Sequence, residues 1–283
     1  MLPERAPMPT SSPSLPLRSL RLRPAPAGGG DRFPYSVPAI RTLDALAFPT
    51  AVSFFVGENG SGKSTLLEAI AAAAGLPAVG SEMRVDADET LAAQRALAAS
   101  IALTWRRGRA RRGFFLRAED FFGFTKTLAL MRAAFVAELA AVDEEYRDRT
   151  AHARALRRGP IAASLHDMEA RYGIDLDANS HGQSFLKLFQ SRFVPEGLYL
   201  LDEPEAPLSP QSQLAFMAML KDMVAQGSQF IIATHSPIIL AFPDATIYSF
   251  DATPVCDVPY AELEHVSLTR DFLASPDRFL RHL

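Results

Sequence analysis

Residues 57–65 read Gly-Glu-Asn-Gly-Ser-Gly-Lys-Ser-Thr, a spacing of glycines, lysine and hydroxyls that is suited to binding phosphate. Glycine adopts positive φ readily, so the backbone can turn its N–H groups inward on an anion. Lys63 would supply a charge for the β- and γ-phosphates, and the Ser64 hydroxyl a ligand for Mg²⁺. The pattern predicts a nucleoside triphosphate bound by Gly57, Glu58, Asn59, Gly60, Ser61, Gly62, Lys63, Ser64 and Thr65.

Two buried strands are predicted to end in side chains that act on the same phosphates. Residues 198–205 read LYLLDEPE, so an apolar strand ends at Asp202, where a carboxylate can hold Mg²⁺. The adjacent Glu203 can orient and polarise an attacking water. Residues 230–237 read FIIATHSP and place His235 at the end of another strand, where an imidazole can contact the γ-phosphate and that water.

A third segment, Ser180-His181-Gly182-Gln183-Ser184, stands at the start of a predicted helix. Ser180 is a good N-cap, and the free N–H groups of a helix start form a second point that can bind an anion. The alternative interpretation is a capped helix start without a ligand.

Strands alternate with helices on both sides of the phosphate loop, which predicts an α/β fold with a mostly parallel sheet. Strands are expected at 53–56, 198–201, 229–233 and 247–250, with an edge strand at 17–22; helices are expected at 64–74, 88–100, 126–157, 183–193 and 209–225. We expect a disordered proline-rich tail at 1–16, an N-terminal lobe with the phosphate loop at 17–85, a helical lid inserted at 86–179, and a C-terminal lobe at 180–283.

Composition limits the class of protein. The 283 residues are 48% hydrophobic, which argues against wholesale disorder. No run of about 18 apolar residues is present and no signal core precedes residue 30, so neither a membrane span nor secretion is expected. The single cysteine, Cys256, fits a reducing cytosol, and we expect a cytoplasmic protein. The net charge of −3 gives no overall attraction to nucleic acid.

Residues 105–117 read WRRGRARRGFFLR and combine arginines with aromatic side chains. Such a surface can bind a phosphate backbone and stack on bases. Two other interpretations stay open: a solvated face, or ion pairs with Asp143, Glu144 and Glu145 of the following helix. The residues that would contact nucleic acid are Arg106, Arg107, Arg109, Arg111 and Arg112.

The order of these motifs resembles an ABC-type ATPase head. The forms GENGSGKST, SHGQS, LDEPEAPLSP and IIATHSP are closer to the non-transport branch: RecF-like proteins, structural-maintenance-of-chromosomes-like proteins and small bacterial AAA-family ATPases. The run FFLRAE before the helical lid and the tail YSFD…LTRDFL…RFLRHL resemble that last group. The resemblance covers residues 17–283 and implies Mg²⁺-dependent ATP hydrolysis by a P-loop fold.

By position, the resemblance implies that Glu203 is the catalytic base, His235 the switch histidine, and Asp202 the magnesium carboxylate. Ser180 and Gly182 would form a signature that reaches the γ-phosphate of a partner chain, which implies an ATP-dependent homodimer. Residues 207–209 would join the two sites.

The chain departs from the family pattern at two places, and one role stays unassigned. His181 replaces the first glycine of the signature pair, and no glutamine follows residues 113–116 at the magnesium-sensing loop, where Arg117 and Glu119 stand. The family also has an aromatic residue that stacks on adenine, for which Phe33 and Tyr35 are candidates.

Three functions are compatible with this reading. In the first, an ATP cycle drives dimer closure in DNA repair or defence. In the second, an ATP-gated clamp turns over slowly and times the release of a partner protein. A third, an orphan transporter subunit, would need a membrane partner, and the THSP and LDEPE forms disfavour it.

Lys63→Ala is expected to weaken ATP binding. The change removes a charge-assisted contact worth about 1.5–3 kcal/mol, which corresponds to an increase of about 10- to 150-fold in Kd. Isothermal titration calorimetry measures this, with Lys187→Ala as the control. Equal ATP affinity of Lys63→Ala and wild type would contradict the assignment of the phosphate loop.

Overall fold

The computed structural model describes residues 15–25, 30–79, 92–106, 108–172 and 181–281. In chain order the strands are β1 (Leu17–Leu22), β2 (Ala45–Ala47), β3 (Val52–Val56), β4 (Ile101–Trp105), β5 (Gly113–Arg117), β6 (Leu198–Asp202), β7 (Gln229–Ala233), β8 (Thr246–Ser249) and β9 (Cys256–Asp257). The helices are α1 (Pro38–Arg41), α2 (Lys63–Ala74), α3 (Ala92–Ser100), α4 (Ala118–Glu145), α5 (Ala151–Tyr172), α6 (His181–Arg192), α7 (Pro210–Ala225), α8 (Pro237–Leu240), α9 (Glu264–Ala274) and α10 (Pro276–Leu280).

The main sheet has the order β5-β6-β7-β3-β8-β9. Its first five strands run parallel, and β9 is antiparallel to β8. Strands β3, β6 and β7 are buried at every residue, as expected for a parallel sheet covered on both faces. The predicted α/β class with a mixed, mostly parallel sheet is confirmed.

A second, antiparallel sheet has the order β2-β1-β4. The prediction that residues 17–22 form an edge strand was therefore wrong, because β1 lies in the middle of this sheet. Its two neighbours come from residues 45–47 and 101–105, and nothing in the local sequence of β1 indicates pairing with either.

Two hydrophobic clusters cover the two faces of the main sheet. On one face α2, α3 and the three-stranded sheet pack together, with Phe55 and Ile231 pointing toward them. On the other face α6 and α7 pack around an aromatic group that includes Phe185, Phe189 and Phe230. Within the described ranges, no helix is both long and apolar enough to cross a membrane.

The segment predicted as a helical lid contains more than helices. Strands β4 and β5 fall within 86–179 and belong to the two sheets. The helical run predicted at 126–157 is two helices, α4 and α5, which pack against each other and are separated at residues 146–150. The first residue of α4 follows β5 directly, so this helical pair is joined to the edge of the main sheet.

A buried side chain links the two sheets. Gln229, the first residue of β7, is fully buried; its Oε1 accepts from Leu17 N at 2.8 Å and its Nε2 donates to Leu17 O at 3.0 Å. The amide thus gives the backbone of β1 the two hydrogen bonds that a neighbouring strand would give.

Gln229→Met is expected to lower the free energy of unfolding by about 2–5 kcal/mol, because it keeps the side-chain volume and leaves a buried donor and a buried acceptor of Leu17 unsatisfied. Urea denaturation measures the change. Gln226→Met, at an exposed position, is the matched control and should stay within about 0.5 kcal/mol of wild type. Equal losses in the two variants would contradict the proposed role of the amide.

Candidate active site

The phosphate loop lies between the end of β3 and the start of α2. Gly57, Gly60 and Gly62 have φ values of 145°, 83° and 104°, a region that side chains with a Cβ rarely adopt. A Cβ at Gly57 would also lie 2.9 Å from Asp251 Oδ1. The loop conformation therefore requires glycine, and it places the loop at the N-terminus of α2, where an anion is favoured.

Lys63 lies against its own loop. Its Nζ donates to Gly57 O at 2.6 Å and to Glu58 O at 2.9 Å, and the residue is 5% exposed. Burial lowers the pKa of Lys63, while the charges of Asp251 and Glu203 act in the opposite direction. The ammonium group is thus held beside the position where the loop would receive phosphates.

Ser64 and Asp202 meet across the sheet edge. Ser64 Oγ donates to Asp202 Oδ1 at 3.1 Å, and Asp202 is 8% exposed. Burial raises the pKa of Asp202 to about 7, and the hydrogen bond from Ser64 partly offsets that rise. A carboxylate and a hydroxyl side by side are hard oxygen ligands of the kind that Mg²⁺ uses together with substrate phosphates.

Arg117 lies beside Asp202 at the end of the neighbouring strand. The two residues are paired in register between β5 and β6, so their side chains point to the same face of the sheet. Arg117 Nη2 forms an ion pair with Oε1 of the buried Glu68, which lies one helical turn beyond Ser64 on α2. Of the two residues noted where a magnesium-sensing loop was expected, Arg117 is thus a cation that is already paired, whereas Glu119 is exposed on α4.

Glu203 and His235 face each other at the opening of the site. His235 Nε2 lies 3.9 Å from Glu203 Oε1, and the two side chains are 40% and 47% exposed. Glu203 has a φ of 49°, and its N–H donates to Ala233 O at 2.9 Å, which holds this left-handed turn directly after β6. Burial, and then the charge of Lys63, lower the pKa of His235, so the ring is neutral near pH 7.

Two carboxylates that the motifs did not single out hold the site together. Glu205 Oε1 accepts from His235 N at 2.7 Å, and burial raises the pKa of Glu205. Asp251 Oδ1 accepts from Glu58 N at 2.7 Å and so fixes the first turn of the phosphate loop. Glu205 and His235 are 30 residues apart along the chain, and Asp251 and Glu58 are 193 residues apart.

The chain is similar to known ATP-binding proteins. Residues 144–241, which carry Asp202, Glu203 and His235, match the family described as "AAA domain, putative AbiEii toxin, Type IV TA system". The chain is 28% identical over 238 residues to the macrolide export ATP-binding/permease protein MacB of Hahella chejuensis, an alignment that covers 81% of this chain and 33% of that protein. These matches support an ABC-type ATPase head.

Two further similarities complete the comparison. The ribose import ATP-binding protein RbsA 1 of Burkholderia ambifaria is 24% identical over 218 residues, 72% of this head and 38% of the relative. The head therefore spans about a third of the length of these curated relatives. The Smc head domain of Pyrococcus furiosus, solved with the C-terminal domain of ScpA, superposes with a TM-score of 0.45 at 12% identity, covering 91% of this chain and 100% of that one.

The predicted signature of the ATPase head is described in part. Ser180 and the side chain of His181 lie outside the described residues. Gly182 is buried in the first turn of α6, where a Cβ would lie 3.0 Å from Pro207 O. The start of α6 thus contacts the segment 207–209 that follows the two site acids.

The two candidates for adenine stacking differ in exposure. Tyr35 is buried, and its hydroxyl donates to Ala96 O at 3.0 Å and lies 2.8 Å from Ser100 Oγ, so it anchors α3. Phe33 is 55% exposed. Of the two, Phe33 alone has a ring face open to a base.

Two arginines of the stretch 105–117 donate hydrogen bonds to backbone carbonyls elsewhere in the fold. Arg109 Nε donates to Ala74 O at 2.9 Å, at the C-terminus of α2, and Arg106 Nη2 donates to Phe48 O at 3.3 Å. The alternative of ion pairs with Asp143 and Glu144 is contradicted, because Asp143 lies near Arg158 of α5 and Glu144 near Arg147 of the turn between α4 and α5. Arg111 and Arg112 are exposed, and Arg107 lies outside the described residues.

Asp202→Asn is expected to stabilise the protein at pH 8 relative to wild type, and to do so much less at pH 4. The raised pKa means that the stability contributed by the neutral carboxyl is full below about pH 4 and is lost as pH rises through about 7. One unit of raised pKa corresponds to about 1.4 kcal/mol, so we expect a difference of at least about 1 kcal/mol at pH 8.

Urea denaturation of both proteins between pH 4 and pH 8 measures this difference. Asp222→Asn, on the exposed side of α7, is the matched control. A constant difference for Asp202→Asn across this range would contradict the raised pKa.

Proposed function

We propose that this ATPase head binds ATP with Mg²⁺ and hydrolyses it. The observation that carries the proposal is the hydrogen bond between Ser64 and Asp202, which lies beside the phosphate loop and Lys63. These two oxygens would hold Mg²⁺, which when bound neutralises charge on the β- and γ-phosphates. Lys63 would exchange its two loop carbonyls for phosphate oxygens, and the N–H groups at the start of α2 would bind the remaining charge.

Glu203 and His235 are proposed to act on the attacking water. Glu203 is exposed toward the site opening, so its carboxylate can accept a proton from a water aligned with the terminal phosphate. His235 is held in place through its own backbone by Glu205, and its neutral ring can donate a hydrogen bond to that water or to a phosphate oxygen. Asp251 keeps the loop in the receiving conformation.

We further propose that two heads associate head to tail when ATP is bound. Helix α2 covers one face of the main sheet and α6 covers the other, so we expect the start of α6 and the phosphate loop of one chain to serve different nucleotides. In a two-fold pair, the α6 start of each chain, with Ser180 and Gly182, would face the γ-phosphate held by its partner. Dimerisation would therefore be linked to ATP.

The biological role that we propose is defence or DNA repair. The family description names a putative toxin, which favours defence, and the exposed Arg111 and Arg112 are available to a nucleic acid. A slowly hydrolysing clamp for a partner protein is the second candidate. A transporter subunit is the third, and it is favoured by the import and export names of the curated relatives.

Glu203→Gln is expected to retain ATP affinity and to lose about 10²- to 10⁴-fold in turnover, because the shape is kept and the base is removed. At a protein concentration of tens of micromolar, this variant should sediment as a dimer when Mg²⁺ and ATP are present. Without nucleotide it should sediment as a monomer. A phosphate-release assay and analytical ultracentrifugation measure the two effects.

Glu145→Gln, at the exposed end of α4, is the matched control and should hydrolyse ATP at the wild-type rate. Wild-type turnover in Glu203→Gln would refute the assignment of the base, and an ATP-loaded monomer would refute the composite site. Strong stimulation of wild-type turnover by DNA would favour the DNA-repair role over the clamp and the transporter subunit.

A further inference from the structure

His265 lies near the nucleotide site although no motif contains it. It is the second residue of α9, in the C-terminal part of the chain. Its neighbours Leu263 and Val266 are buried in the same cluster as Ile239 and Leu240 of α8. Because α8 begins two residues after His235 and packs against α9, the start of α9 lies on the side of the molecule that carries His235.

The charges around His265 belong to the nucleotide site. Burial lowers the pKa of His265, Asp251 raises it, and Lys63 lowers it further. His265 in turn contributes to the lowered pKa of His235. The charges of Lys63 and Asp251 therefore act on the His265 ring, and that ring in turn acts on His235.

The Nε2 atom of His265 is buried and has no hydrogen-bond partner among the described residues, and the same holds for Nε2 of His235. A buried polar atom without a partner is unfavourable, so such an atom beside a binding loop is expected to gain its partner from the ligand. In the proposed function, Lys63 binds the β- and γ-phosphates and His235 contacts the attacking water. His265 interacts with both residues, so the terminal phosphate would lie within reach of its ring.

We propose that His265 is a nucleotide-binding residue that recognises the terminal phosphate of ATP. This inference rests on the proposed function, since it requires ATP in the phosphate loop. The imidazole donates an N–H to a phosphate oxygen that ADP lacks, and the charge of that phosphate favours the protonated ring. The C-terminal helix α9 thereby distinguishes ATP from ADP.

The test compares ATP and ADP affinities of His265→Leu and His265→Gln, each combined with Glu203→Gln so that bound ATP persists. Calorimetry should show about a tenfold loss of ATP affinity for His265→Leu and less than a twofold change for ADP. His265→Gln, whose Nε2 also donates a hydrogen bond, should recover most of the ATP affinity. His166→Leu, at an exposed position on α5, should change neither affinity.

Two further measurements separate binding from a structural role. Without nucleotide, His265→Leu should be at least as stable as the Glu203→Gln parent, because the change removes a polar atom that has no partner. The ring resonance of His265 in NMR spectra of the Glu203→Gln protein should shift on adding ATP and much less on adding ADP. The resonance that is absent from the spectrum of His265→Gln is assigned to His265.

An unchanged ratio of ATP to ADP affinity in His265→Leu would overturn the inference, whether both affinities stay constant or both fall together. Failure of the proposed function gives a different result: the parent protein would bind neither nucleotide. That result would overturn both proposals.

Discussion

The hydrogen bond from Ser64 Oγ to Asp202 Oδ1 joins the first turn of α2 to the end of β6, and the geometry of the site follows from it. Directly alongside, the ion pair of Glu68 with Arg117 joins the next turn of α2 to the end of β5. Because β5 and β6 are in register, the two contacts lie side by side and fix both the position and the rotation of the helix. The phosphate loop precedes that helix, so its orientation toward the other strand ends is set by these two pairs.

The same region concentrates negative charge, which a proton, a cationic ligand or a counter-charge can relieve. Asp202 ends β6, and Glu203 and Glu205 come after it. Asp251 follows β8, and Lys63 interacts with all four acids. Burial raises the pKa values of Asp202 and Glu205, so in the protein without ligand the ionised forms of these groups lower the free energy of unfolding. A divalent cation next to Asp202 would offset that loss, which is a physical reason for nucleotide and metal to bind together.

The parts of the site that the sequence predicts are those encoded in short runs. The strand β7 was predicted residue for residue, because five buried residues in a row followed by a turn leave little choice. Asp202, Glu203 and His235 were found for the same reason, since each lies at the end of such a strand or within two residues of it. Asp251 was missed because its role depends on a contact with Glu58, 193 residues away along the chain. His265 was missed because it stands in no short motif, and only the fold brings it within the influence of Lys63. The central position of β1 was missed because both of its partners lie far away in sequence.

Arg109 has a consequence for the outer surface of the molecule. Its guanidinium is bound to Ala74 O and Ala73 O at the C-terminus of α2, where the partial negative charge of the helix end favours a cation. The two ends of α2 thus favour opposite charges. An anion is expected at the phosphate loop, and the cation of Arg109 is bound at the other end. A polyanion that approached this face would have to compete with two peptide carbonyls for the same side chain, and any contact it gained with Arg109 would be made at the expense of the helix that carries the phosphate loop.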